Sequence, residues 1–237
     1  MMIVVYLVIL HALVGGLLVQ PELAARIVAM ANLPRAQPAE AEWFIPILRE
    51  VHRQMDPSVP AGATLFLGDS ITMCLSTAAV TARSVNFGIG WQRSDQLLAS
   101  MDLYKSIERA ARIVVTIGTN DLLQGRATGI EARYRAILAK IPARTEVVMS
   151  SIPPLGNGVF PGRQIDADQV RAVVASAKTV CAADRRCRFV DAFQALTSSH
   201  GQPLPGVLLA DSIHLAPQGY ALWIDTLTGV LASSPSR

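Results

Sequence analysis

From residue 63 onward the chain alternates between two rhythms. Short runs that are almost wholly apolar, ATLFLG (63–68), SVNFG (84–88), RIVVTIG (112–118), TEVVMS (145–150) and RFVD (188–191), are separated by stretches with helical spacing near 70–80, 94–110, 129–140, 166–183 and 216–232. A strand with one wet face alternates apolar and polar positions, whereas a strand buried on both faces reads as a continuous apolar run and needs helices above and below. The pattern therefore predicts an α/β fold, a three-layer α/β/α domain on a parallel sheet, over residues 63–237. Ahead of it, residues 21–62 read as a linker punctuated by Pro34, Pro38, Pro57 and Pro60. Between these prolines Trp43, Phe44, Ile47, Leu48 and Val51 recur at helical spacing, which predicts one amphipathic helix.

Residues 1–19 carry no Asp, Glu, Lys or Arg, and as a helix would span roughly 28 Å at about 1.5 Å per residue, close to the thickness of a hydrocarbon core. Residues 1–20 are thus expected to be an N-terminal hydrophobic helix, a transmembrane anchor or a signal segment, with the membrane as a partner. A cleaved signal usually opens with a basic stretch and has a shorter apolar run, which favours an uncleaved anchor here; the small-residue site Ala29-Met30-Ala31 keeps cleavage open, and a buried core helix is the third reading. Arg26 and Arg35 downstream would place the main domain in the cytoplasm. Cys181 and Cys187 are close enough to pair in an oxidising compartment, the alternative being two reduced thiols at a helix end. The expectation is a membrane-anchored or exported protein with its domain on the extracytoplasmic side.

At 237 residues, with 51% apolar and 16% charged side chains, the chain suits one large domain plus an appendage and excludes extended disorder. The net charge is only +3 and no basic stripe with interleaved aromatics occurs, so nucleic acid is not an expected partner. Three cysteines without a paired CxxC, and no clustered histidines, point to neither a disulfide scaffold nor a metal.

In parallel sheets ligands bind outside the carboxyl ends of the strands. Gly68-Asp69-Ser70 stands at the end of the first predicted strand and opens a helix, so Ser70 is a candidate nucleophile whose own N–H faces an incoming anion. A serine needs a base. Of His11, His52, His200 and His214, only His214 has a carboxylate in D-x-x-H register, Asp211, able to hold one imidazole nitrogen and leave the other for Ser70. The third strand ends in Gly118-Thr119-Asn120-Asp121, where the Asn120 amide can donate to an oxyanion. The second ends in Asn86-Phe87-Gly88-Ile89-Gly90-Trp91, a turn that can add a backbone donor. Asp69 reads as a side chain bonded to its own turn, Asp121 as a helix cap, Cys74 as packed core, and Arg93 and Arg163 as surface charge.

These blocks together resemble the SGNH hydrolases, the GDSL-type esterases and lipases. GDS supplies the nucleophile Ser70, GTND the oxyanion donor Asn120, and D-x-x-H the pair Asp211 and His214, with similarity running from about residue 64 to 224 and including HLAPQGYALW. The resemblance implies a flavodoxin-like parallel sheet in a hydrolase domain over 63–237, and a serine hydrolase cleaving carboxylic esters, small-molecule or glycan, through an acyl-enzyme without metal or organic cofactor. Where the family pattern N-x-G-I-x-G ends in glycine, this chain has Trp91, preceded by Gly90; either can be the backbone donor. Short acyl groups, acetyl above all, are expected because no long apolar lid segment stands out. Two further readings stay open: an acyltransferase that delivers the acyl group to a sugar hydroxyl, and a membrane-tethered carbohydrate-binding protein on a degenerate hydrolase fold.

Overall fold

A computed structural model describes residues 39–156 and 165–233. The apolar segment at residues 1–20 lies outside the described residues. Among those described, no helix is long and apolar enough to cross a membrane.

All five expected strands form: β1 (Thr64–Gly68), β2 (Ser84–Gly88), β3 (Arg112–Thr116), β4 (Glu146–Ser150) and β5 (Cys187–Val190). They make one parallel sheet in the order β2-β1-β3-β4-β5. Successive side chains leave a strand on opposite faces, and this parity builds two cores. Leu65, Leu67, Ile113, Val115, Val147 and Met149 face one, Phe66, Val114, Val148 and Val190 the other, and every one of them is essentially inaccessible. Helices α3 (Ser94–Ser100), α5 (Ile130–Ala139) and α6 (Ala167–Ala182) cover the first face through Leu97, Tyr134, Ile137, Val173 and Ala177. Helix α8 (Pro217–Ala232) covers the second with Trp223, Leu227 and Leu231. Trp223 is wholly buried and its indole N–H finds a partner in Ser150 Oγ at 3.1 Å, which removes the cost of burying that donor.

Two expected helices are shorter than their pattern. The one expected over 70–80 stops after a turn as α2 (Ser70–Met73), because the Asn86 amide, reaching across from β2, donates to the carbonyls of Thr72 at 2.7 Å and Leu75 at 3.0 Å and so takes acceptors a continuing helix would use. Cys74, expected in the core, is exposed as a result. The stretch 94–110 is α3 followed by two 3-10 segments. Short helices α4 (Thr119–Leu123) and α7 (Ala192–Ala195) follow β3 and β5 directly.

Ahead of the sheet, α1 (Ala39–Met55) forms in the segment that reads as a linker and packs on the domain. Ile45 and His52 are buried, and the His52 ring lies 5.1 Å from that of Phe87, with Nδ1 3.3 Å from the Tyr104 hydroxyl. Asp56, just beyond, accepts from Ser106 N at 3.0 Å and fastens the helix end to the domain. Trp43, Ile47 and Val51, three of the five positions that mark the helix as amphipathic, are exposed, so the buried face is turned toward Ile45 and His52.

Cys181 at the end of α6 and Cys187 at the start of β5 are joined in a disulfide across a separation of 6 residues. Closing so short a loop stabilises by about 2 kcal/mol through the unfolded chain. Reduction, or Cys187→Ser, is expected to lower stability by about that amount in urea melts with little change in slope; an unchanged midpoint would show the bond contributes nothing. Burial pulls the His52 pKa down to about 4. The unfolded chain, with an ordinary histidine, therefore binds the proton first, so stability is full above about pH 6.5 and falls as pH drops toward 4. His52→Gln, which cannot titrate yet still meets the Tyr104 hydroxyl, should flatten that fall between pH 7 and 5 in thermal melts.

Candidate active site

The site lies at the carboxyl edge of the sheet, where the connection leaving β1 runs toward β2 and the one leaving its neighbour β3 runs the opposite way toward β4, a crevice inherent to this strand order. Ser70 is the first residue of α2. Its turn is held by Asp69, whose Oδ1 accepts from Ile71 N at 3.0 Å, an N-cap contact one residue before the serine. Gly68 is so tightly enclosed that a Cβ on it would stand 2.1 Å from Thr72 Oγ1 of α2 and 2.2 Å from the Thr116 carbonyl oxygen of β3, which only glycine avoids.

His214 comes from the loop between α7 and α8, on the same face of the sheet as Ile71 and Leu75 beside Ser70. That loop is stapled on itself by an antiparallel bridge between Leu208 and Leu215, with Leu209 N donating to His214 O at 2.8 Å and Ser212 in a left-handed conformation (φ 59°). Tyr220 Oη on α8 donates to the Ile71 carbonyl at 2.9 Å, tying the helix behind the histidine to the helix that bears the serine. The outcome is a continuous line of three side chains: His214 Nε2 lies 2.9 Å from Ser70 Oγ, and His214 Nδ1 lies 2.6 Å from Asp211 Oδ2. The other Asp211 oxygen accepts from the amides of Ile213 at 2.9 Å and His214 at 3.0 Å, so the carboxylate is fixed by the backbone it orients. Partial burial pushes the Asp211 carboxyl up, but the imidazole and the two amides outweigh it and hold the group below its ordinary value.

Asn120 is on α4, after β3. Its Nδ2 donates to the Gln92 carbonyl at 3.1 Å, which fixes the amide plane and leaves its second hydrogen for another acceptor. Gln92 is itself buried and its amide donates to Ser100 Oγ at 3.1 Å. Between Gly88 and Gln92 the chain makes a tight turn, Gln92 N donating to the Ile89 carbonyl, and Trp91 takes the left-handed conformation (φ 64°) that a family glycine would adopt without strain. Gly90 and Trp91 both line the cavity beside Ser70.

Asp121 is not the cap of its own helix. It is buried and accepts from Ser94 N at 2.9 Å and Ser94 Oγ at 2.6 Å while pairing with Arg133 at 3.2 Å, so it closes the first turn of α3 from outside. The reason is tertiary: α3 and α4 converge at the strand ends, and a buried carboxylate needs donors that its own short helix does not supply. Asp69 is equally buried; desolvation, reinforced by the nearby Asp121, raises its pKa to about 7 against the pull of the Ile71 amide. Arg93, read as surface charge, bonds Asp95 at 3.0 Å and Gln124 at 2.7 Å and is largely covered. His200 is exposed in a loop and Arg163 lies outside the described residues.

The cavity over Ser70 has a volume of about 580 Å³. Its polar side chains are Ser70, Asn120 and His214; the remainder is apolar, with Trp43 and Phe44 of α1 facing Met73, Trp91, Leu123 and Ile213. None of these six was singled out by motif except Trp91. The signal for Trp43 and Phe44 was the amphipathic helix itself, whose position relative to the site is not written in its spacing. No cluster of His, Cys, Asp and Glu among the described residues has the arrangement of a metal site.

Residues 66–222 match the GDSL-like lipase/acylhydrolase family. No curated protein sequence matches the chain. Among solved structures, a Streptococcus pneumonia protein provisionally described as a platelet activating factor has a TM-score of 0.72 at 22% identity, covering 80% of this chain and 95% of its own. A GDSL-like lipase from Bacteroides thetaiotaomicron has a TM-score of 0.64 at 16% identity, with coverage of 78% and 97%. A variant of Axe2, an acetyl xylan esterase from Geobacillus stearothermophilus, has a TM-score of 0.58 at 17% identity, with coverage of 74% and 97%. At such identities the structures share the fold, and the match over residues 66–222, which takes in Ser70, Asn120, Asp211 and His214, carries the assignment: the chain belongs to the GDSL-like lipase/acylhydrolase family of ester-cleaving enzymes.

Proposed function

We propose that the chain hydrolyses carboxylic esters through an acyl-enzyme on Ser70. The observation that carries the reading is the unbroken line from Asp211 through His214 to Ser70, at 2.6 Å and 2.9 Å. With its Nδ1 hydrogen donated to Asp211, the imidazole offers the Nε2 lone pair to the serine hydroxyl; it takes that proton as Oγ attacks the ester carbonyl carbon. The negative charge that develops on the carbonyl oxygen is met by the N–H of Ser70, a backbone N–H of the Gly90/Trp91 turn and the second hydrogen of Asn120 Nδ2. Asp211 stabilises the imidazolium, which returns its proton to the departing alkoxide. Water then repeats the sequence on the acyl-enzyme, with His214 again as base, releasing the acid and restoring Ser70.

In this scheme Gln92 acts as a positioning residue, since its carbonyl sets the plane of Asn120. Asp69 plays no part in proton transfer and holds the turn that presents Ser70.

We propose in addition that the domain lies on the extracytoplasmic side, a reading supported by the Cys181–Cys187 bond, because such bonds persist where the compartment is oxidising. A C-terminal tag open to added protease in intact cells is the expected result, and a tag reached only after lysis would reverse the placement.

Ser70→Ala is expected to reduce kcat on p-nitrophenyl esters by about 10⁴-fold or more, and Asn120→Ala by about 10² to 10³-fold with KM little changed. Undiminished hydrolysis by clean Ser70→Ala protein would refute the mechanism, and labelling of wild type but not this variant by a fluorophosphonate probe supports it.

A further inference from the structure

Resting on the hydrolase reading above, we infer that α1 supplies an acyl subsite, and that Trp43 and Phe44, with Met73 and Trp91, select a medium-length linear acyl chain over acetate. The first ground is composition of the cavity. The three polar side chains in its wall with an acceptor, Ser70, Asn120 and His214, are all committed to the reaction centre, while the rest of the wall is aliphatic or aromatic and, apart from the indole N–H groups of its tryptophans, offers no side-chain hydrogen-bonding group.

The second ground is where the wall stands. A Cβ placed on Gly90 would meet Phe44 Cε1 at 3.2 Å and Met73 Cε at 3.5 Å, so these side chains converge on the turn beside Ser70 rather than on the imidazole. His214 must hand its proton to the leaving oxygen, which puts the alcohol on the imidazole side, and the oxyanion takes the backbone N–H groups of the Gly90/Trp91 turn, so the acyl group is left the direction along the apolar wall that Phe44 and Met73 form with Trp91. Trp43 extends the wall outward: its ring meets that of Phe44 edge-on at 6.0 Å, and it is 57% exposed, a large apolar surface with one side open to a ligand.

Size agrees. A methylene is about as large as a water, which takes roughly 30 Å³, so an octanoyl chain needs about 240 Å³, under half of the cavity. The space left accommodates the alcohol and the reacting carbonyl. A site fitted to acetate alone would need far less room than a cavity volume of about 580 Å³.

The test is kcat/KM for p-nitrophenyl acetate, butyrate, hexanoate and octanoate, below their micellar limits, in wild type, Trp43→Ala, Phe44→Ala and Phe44→Leu. Each added methylene in wild type should raise kcat/KM by about twofold, below the full transfer value because the cavity is open on one side, reaching about 60-fold over the six methylenes to octanoate. Trp43→Ala and Phe44→Ala should lower the octanoate-to-acetate ratio of kcat/KM by about tenfold, and Phe44→Leu should restore most of that ratio. Because Trp43 is exposed, its replacement leaves the core intact, and an unchanged melting temperature verifies this. A profile in wild type that is flat or falls from acetate, or variants that depress acetate and octanoate alike, would overturn the inference. Loss of all hydrolysis in Ser70→Ala alongside a flat profile sinks the subsite alone, whereas hydrolysis surviving in Ser70→Ala sinks the underlying mechanism.

Discussion

A hydroxyl and an imidazole separated by 144 residues in sequence meet at 2.9 Å because one helix is docked on one face of the sheet. Trp223, Leu227 and Leu231 of α8 fill the space against Phe66, Val114 and Val148, and full burial of side chains of this size stabilises by roughly 1.5 to 3 kcal/mol each. That docking fixes the start of α8, and with it the stapled loop ending in His214. The Tyr220 hydroxyl bond to the Ile71 carbonyl then sets the remaining freedom between the two halves of the site. Precision of a few tenths of an ångström between side chains thus follows from apolar packing some distance away, with hydrogen bonds trimming the alignment.

A second layer of buried polar groups holds the crevice on its other side. Asp121 joins α4 to α3 and α5 through Ser94 and Arg133, and Gln92 links the turn after β2 to Asn120 and Ser100. Each of these groups would be expensive to bury alone, and together they satisfy most of one another's donors and acceptors. Their effect is to prevent Asn120 from turning its amide away from the cavity. Of the carboxylates next to Ser70 and Asn120 in sequence, Asp121 serves this framework, and Asp69 holds its own turn through Ile71 N.

Helix α1 shows how far a sequence boundary can mislead about a site. Its prolines and its distance from the first strand mark it as a tether, yet Ile45, His52 and Asp56 anchor it to the domain and deliver Trp43 and Phe44 to the cavity. Spacing identified an apolar face correctly but not which part of it is covered: Ile47 and Val51 are exposed, while His52, a titratable group, is buried against Phe87.

The strands, their parallel arrangement and the convergence of Ser70, Asn120, Asp211 and His214 at one crevice were all legible in the chain, because burial on both faces forces continuous apolar runs and because strand ends are where such sheets open. Helix ends in 70–80, the exposure of Cys74, the bridging by Asp121 and the wall built by α1 were not. Each of these depends on a partner far along the chain: the Asn86 amide that stops α2, the Ser94 amide that draws in Asp121, and the cavity mouth that turns Phe44 toward Gly90. Local pattern is set by which side chains avoid water; which of several compatible partners each polar group takes is decided only when the elements are packed, since the competing bonds have nearly equal free energy until geometry separates them.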